Sequence, residues 1–212
     1  MERGLIRLKI FVTGGSSGVG QALVNKLKTQ HDVVAPSRKE LDLTDFEAID
    51  QLDLSSYDIV INCAGANAGS YNGWQHNTWV NQQLQVDVNF TGALLLAKQY
   101  TKHKTEGQFI FVTSSNIDDP IAYNIFYTAS KAALRYSINT LRRECPGIVF
   151  TEICPGKIKS NMLAQNYQGS KTAKEIEQLY EKSPYLMPQD IVTAIETTIK
   201  YKLDQITITP HD

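Results

Sequence analysis

The segment Tyr127-Thr128-Ala129-Ser130-Lys131 sets a phenol and an ammonium four residues apart. Positions i and i+4 share one face of a helix, so this spacing predicts that Lys131 stands near Tyr127 and favours its phenolate, drawing down a pKa that is otherwise about 10. A phenol tuned in this way exchanges protons near neutral pH. Upstream lies a glycine-rich run, Thr13-Gly14-Gly15-Ser16-Ser17-Gly18-Val19-Gly20, preceded by the apolar Leu8 to Val12 and followed by a helical pattern from Gln21 to Lys28. Strand, glycine turn and helix are the context in which backbone N–H groups hold a dinucleotide pyrophosphate. A proton donor and a dinucleotide site in one chain predict hydride transfer.

These residues need elements to hold them. Short β-branched or apolar runs at Leu8 to Val12, Val33 to Ala35, Asp58 to Asn62, Gln108 to Thr113, Ile148 to Cys154 and Gln205 to Thr209 read as strands. Helical periodicity marks Gly18 to Thr29, Thr44 to Leu52, a long region from Trp74 to His103, Tyr127 to Glu144, Thr172 to Lys182 and Pro188 to Lys202. Thr44 and Glu47 suggest a capping box, and Pro188 followed by Gln189-Asp190 suits a helix start. Strands alternating with helices predict an α/β fold, a Rossmann-like doubly wound parallel sheet with helices on both faces. Ligands bind such sheets at the carboxyl ends of the strands, where these motifs fall.

The 212 residues predict one NAD(P)-binding Rossmann domain over 1–212, with a short substrate loop around 157–187. The polar, weakly periodic stretch from Gly156 to Thr172 reads as a mobile loop beside the site. Lys plus Arg at 21 against Asp plus Glu at 22 leaves no basic surplus for nucleic acid. The densest apolar run, Ala93 to Ala97, is too short for a bilayer, so a soluble, cytoplasmic protein without a membrane partner is expected. Cys63, Cys145 and Cys154 are odd in number and set among apolar residues, which predicts buried free thiols and no metal site.

The spacing Gly14, Gly18, Gly20, with Asn62-Cys63-Ala64-Gly65 at a later strand end and Tyr-x-x-x-Lys, resembles the short-chain dehydrogenase/reductase family over nearly the whole chain. Asp87-Val88-Asn89-Phe90-Thr91-Gly92 resembles the family's asparagine-bearing helix, and Val112-Thr113-Ser114-Ser115 the strand end carrying its serine. Pro155-Gly156-Lys157-Ile158-Lys159-Ser160-Asn161-Met162 resembles the segment that contacts nicotinamide.

The resemblance implies an oxidoreductase that passes hydride between nicotinamide and a small carbonyl or alcohol substrate. Tyr127 would be general acid/base, Lys131 would lower its pKa and bond the nicotinamide ribose, and Ser114 would hold the substrate oxygen, with Ser115 as the alternative. Asn89 would anchor a water leading from Lys131 to solvent, or satisfy a helix irregularity. Cofactor contacts are expected from Gly14, Ser16, Ser17, Gly18, Val19, Gly20, Ser37, Arg38, Asp42, Leu43, Asn62, Ala64, Gly65, Tyr127, Lys131, Pro155, Gly156, Ile158 and Ser160. After the second strand stand Pro36, Ser37 and Arg38, without an acid to repel a 2′-phosphate, so NADP(H) is expected over NAD(H).

Trp74, Trp79, Tyr71, Tyr123 and Phe126 are candidates to border the pocket, although aromatics more often pack. The polar face bearing Lys174, Glu175, Glu177 and Lys182 reads as solvated. The chain is short for the family, with little to cover the substrate. Nucleotide-sugar epimerase-like relatives share the glycines and Tyr-x-x-x-Lys but carry an added domain. Sensor or scaffold relatives commonly lose the tyrosine or lysine, both of which are kept here. The resemblance also implies a homodimer or homotetramer through the two long helical regions, with Leu95, Tyr100, Leu134 and Ile138 as candidate contacts.

Overall fold

The computed structural model describes residues 6–69, 74–162, 171–181 and 184–210. Six strands, β1 (Lys9–Thr13), β2 (Asp32–Val34), β3 (Ile59–Asn62), β4 (Gly107–Val112), β5 (Ile148–Pro155) and β6 (Gln205–Ile208), form one sheet in the order β2-β1-β3-β4-β5-β6. Every neighbouring pair is parallel. The helices are α1 (Gly18–Leu27), α2 (Phe46–Asp50), α3 (Trp79–Val86), α4 (Gly92–Thr101), α5 (Ile125–Glu144), α6 (Ala173–Glu181) and α7 (Pro188–Tyr201). This is a Rossmann-like α/β fold. Its order reverses between β1 and β3, the switch point at which an open parallel sheet leaves a crevice.

Alternation along the strands decides what covers each face. Ile10, Val12, Ile59, Ile61, Ile110 and Ile153 point into a core shared with Leu23 and Leu27 of α1 and Ile191 and Ile195 of α7. Phe11, Val60, Phe109, Phe111 and Phe150 point the other way, against Leu96 and Tyr100 of α4 and Leu134 and Ile138 of α5. The phenylalanines interlock, with Phe109 and Phe111 rings 4.4 Å apart. Burying each such side chain contributes about 1.5–3 kcal/mol, so both faces hold the strand ends in place.

Several boundaries differ from expectation. The long region read as one helix from Trp74 starts only at Trp79, where the Thr78 hydroxyl accepts from Asn81 N–H. It continues through a π turn, Asp87–Thr91, into α4. The α2 cap is Asp45, accepting from Ala48 N–H, while Thr44 is taken by the Asp42 carboxylate. No capping box from Thr44 forms. At α7 the acidic first turn does act, with Asp190 accepting from Met187 N–H at 2.7 Å.

Of the stretch expected as a loop, residues 163–170 lie outside the described part, as do Tyr71 and Lys182. Its near end is pinned: Ile158 bridges Leu186, and Lys157 Nζ donates to the Leu179 carbonyl. The polar face of α6 is solvated as expected, with Lys174, Glu175 and Glu177 exposed; Lys159 pairs with Glu177 at 2.5 Å and Glu175 accepts from Thr172. No described helix is long and apolar enough to cross a membrane.

Candidate active site

The carboxyl ends of β1, β3, β4 and β5 open onto a cleft of about 940 Å³. Its floor begins at the glycine turn. Gly14 has φ 71°, and a Cβ there would come within 2.7 Å of the Ala64 backbone nitrogen. A Cβ on Gly20 would strike the Gly14 carbonyl, so glycine alone lets α1 start this close to β1. Ser17, the α1 N-cap, makes no side-chain cap, and the first turn holds no acid. The helix therefore presents N–H donors and its positive end to the cleft, which fits the diphosphate of a dinucleotide. Below the turn, Thr13 Oγ1 donates to Asn62 Oδ1 at 2.5 Å, tying β1 to β3.

Past the turn the lining runs through Arg38, Asp42, Leu43, Ala64 and Gly65 to Ser114, Tyr127 and Lys131, then Pro155, Gly156, Ile158 and Ser160. Ser16, Ser17, Gly18, Val19 and Gly20 line it as well. Three expected contact or catalytic residues do not. Asn62 is spent on Thr13. Ser37 is held by Glu40, whose carboxylate accepts from both its N–H and its hydroxyl at 2.7 and 2.8 Å. Asn89 sits in the π turn, fully buried, with its amide donating to the Ala66 carbonyl, accepting from Ala66 N–H and donating to Ser130 Oγ. These bonds fasten the π turn to the loop that carries Gly65, which satisfies the helix irregularity and is compatible with the water-anchoring reading.

The second strand end also differs in charge. No acid follows β2 directly, but Glu40 folds back onto Ser37, and Arg38 pairs with Asp42 at 3.0 Å. Arg38 remains largely exposed and is the cation lining this end of the cleft.

At the other end, α5 carries Tyr127 and Lys131 on one face, as their spacing requires. Their ionisation departs from expectation. Burial pushes the Tyr127 phenol up, and a hydrogen bond with Ser114 opposes this. Lys131 is 4% exposed, and burial brings its pKa down to about 8. Its Nζ donates to the Val112 carbonyl at 2.7 Å rather than leaving the charge to the phenol. The expected lowering of Tyr127 by Lys131 is not found, because desolvation acts on both groups. Cys63 also lines the cleft, and burial lifts its thiol to about 12. Cys63 and Cys145 are only partly buried; Cys154 alone is fully so. Among the described residues no group of three His, Cys, Asp or Glu is placed for a metal.

An ion cluster that the sequence analysis did not foresee stands behind Ser114. Arg135 Nε meets Glu152 at 2.6 Å, its Nη1 grips both Asp118 oxygens, and its Nη2 reaches Cys154 Sγ. Thr113 Oγ1 donates to the same Glu152 oxygen at 2.5 Å. Glu152 is 2% exposed, so losing its partner would cost about 3–5 kcal/mol. The cluster braces β4, β5 and the 3-10 turn Ser115–Ile117 around Ser114. An acid inside the apolar run Ile148 to Cys154 was its one visible sign. The expected pocket aromatics fall elsewhere: Trp74, Trp79, Tyr123 and Phe126 do not line the cleft, and the first three are exposed.

A glycine-turn cradle joined to a cluster of Ser114, Tyr127 and Lys131 on a parallel sheet is a dinucleotide oxidoreductase type of arrangement. The model of the short chain dehydrogenase family matches residues 38–171, more than half of the chain, and the chain belongs to that family. It is 28% identical over 211 residues to human dehydrogenase/reductase SDR family member 7, covering 79% of this chain and 60% of that protein. An uncharacterized oxidoreductase of Staphylococcus epidermidis is 27% identical over 224 residues, covering 89% of this chain and 95% of the other. Among solved structures, a small-chain dehydrogenase in complex with NADPH superposes with a TM-score of 0.82 at 23% identity, over 96% of this chain and 97% of that one.

Proposed function

We propose that this chain, acting as a single domain over residues 1–212, is an NADP(H)-dependent reductase of small carbonyl compounds. The observation that carries the reading is the cleft itself, whose lining takes in the glycine turn together with Ser114, Tyr127 and Lys131. The dinucleotide would supply hydride to the carbonyl carbon. As the carbon–oxygen π bond opens, its electron pair moves to oxygen, and Tyr127 donates its proton there. Ser114 holds that oxygen by hydrogen bond. Lys131 would bond the nicotinamide ribose, and Gly14, Ser16, Ser17, Gly18, Val19 and Gly20 would hold the diphosphate on α1.

The raised pKa keeps Tyr127 protonated across neutral pH, which suits donation to a carbonyl better than abstraction from an alcohol. Pro155, Gly156, Ile158 and Ser160 would flank the nicotinamide, and Asp42 and Leu43 the adenine. Preference for NADP(H) rests on Arg38 alone, since Ser37 is committed to Glu40. The neighbour that holds NADPH supports the choice. Calorimetry with NADPH and NADH tests it: NADPH binds more tightly, and Arg38→Ala narrows the gap roughly 5- to 50-fold, as expected for a charge-assisted phosphate contact. Equal affinities in the unmodified protein would contradict the assignment.

A further inference from the structure

Tyr127, Lys131 and Arg135 follow one another at four-residue steps along α5, so one face of the helix carries a phenol, an ammonium and a guanidinium in line. The first two have roles in the reaction above; the third has none. Its contacts converge on Ser114. Nη1 holds both oxygens of Asp118 at 2.7 and 2.8 Å, and Asp118 closes the 3-10 turn that begins directly after Ser114. Nε holds Glu152 at 2.6 Å, and the same carboxylate oxygen accepts from Thr113, the residue just before Ser114. The chain is thus tied on both sides of the serine to one guanidinium, on the helix that carries Tyr127. Between the two ties, the Ser114 hydroxyl accepts from Asn116 N–H at 3.3 Å. Stability does not account for such a cluster. Glu152 is 2% exposed on an inner strand, and replacing a buried ion pair by apolar side chains of similar volume is often neutral or stabilising. What an apolar pair cannot do is fix directions, whereas a forked guanidinium holds carboxylates on two separate segments at set angles.

We propose that Arg135 is a positioning residue for the reduction: through Asp118 and Glu152 it fixes where the Ser114 hydroxyl stands relative to Tyr127. This rests on the reading of Ser114 as the group that holds the reacting oxygen. Charge on that oxygen grows as hydride arrives, so a displaced hydroxyl costs more in the transition state than in the bound substrate. A displacement on the order of 1 Å is enough to cost about 100-fold in rate. Loss of the tie therefore falls on kcat and leaves KM and NADPH affinity nearly alone.

The test is a double-mutant cycle between Asp118 and Ser114, measured with NADPH on cyclohexanone and benzaldehyde. The Asp118 side chain is 66% exposed, and Asp118→Ala leaves the buried Arg135–Glu152 pair intact, so the variant keeps its fold. Asp118→Ala lowers kcat roughly 10- to 100-fold, with KM and NADPH affinity within about 3-fold. In a Ser114→Ala protein the same substitution costs less than about 2-fold more, because the tie has no hydroxyl left to place. Arg135→Lys keeps a charge beside Glu152 but not the fork, and loses kcat as Asp118→Ala does. An Asp118→Ala loss of equal size with and without Ser114, an unchanged kcat in Asp118→Ala, or a full kcat in Arg135→Lys overturns the proposal and leaves the carbonyl reductase reading standing. A protein that binds NADPH and reduces neither compound overturns both.

Discussion

An ammonium at 4% exposure has surrendered most of its hydration, and Lys131 answers by titrating at about 8. Folded and unfolded chains then bind different numbers of protons between about 8 and the ordinary lysine value of 10.5. Because the folded pKa is the lower one, the unfolded state binds more protons in that window, and stability rises with pH across it. Below about 8 the cost of burying the charge is present in full. The unmodified protein should therefore gain on Lys131→Met by about 1–3 kcal/mol as pH rises from 7 to 10. Urea midpoints at several pH values measure it; a difference that stays flat with pH would show that Lys131 keeps an ordinary pKa. Tyr127 and Lys131 were legible from spacing alone, but the direction of their shifts was not. A single sequence shows what stands four residues away and not how dry the place is.

Among the elements, α5 was legible in kind and misread in facing. Leu134 and Ile138, expected to meet a partner chain, are fully buried against the sheet of their own chain, and so is Tyr100 of α4. Small residues made the whole helix look able to pack closely on any side. Its exposed stripe is instead Ala129, Tyr136, Thr140 and Arg143, with Tyr136 at 80% exposure. We propose that the homodimer or homotetramer implied by the family uses this stripe. Light scattering at micromolar concentration should give a multiple of 23.7 kDa, and Tyr136→Glu should reduce it to the single-chain mass. A single-chain mass for the unmodified protein would contradict the assembly. The π turn and the fold-back of Glu40 onto Ser37 were invisible because each depends on a contact across elements.

At the scale of the molecule, the strand–helix alternation sufficed to foresee the parallel sheet, and the placing of motifs after strands foresaw which end carries the cleft. The glycine turn, Ser114, Tyr127 and Pro155-Gly156 do converge there from three strands and α5. The central claim is that this convergence moves a proton to a carbonyl oxygen while hydride arrives at its carbon. Tyr127→Phe tests it most directly, because it removes only the phenolic oxygen and leaves the ring that packs. On a ketone that the unmodified protein reduces with NADPH, turnover should fall roughly 10²- to 10⁴-fold while NADPH affinity holds within about 3-fold. A Phe variant that kept more than about a tenth of the turnover, or lost NADPH binding in proportion to activity, would contradict the assignment of Tyr127 as the proton donor.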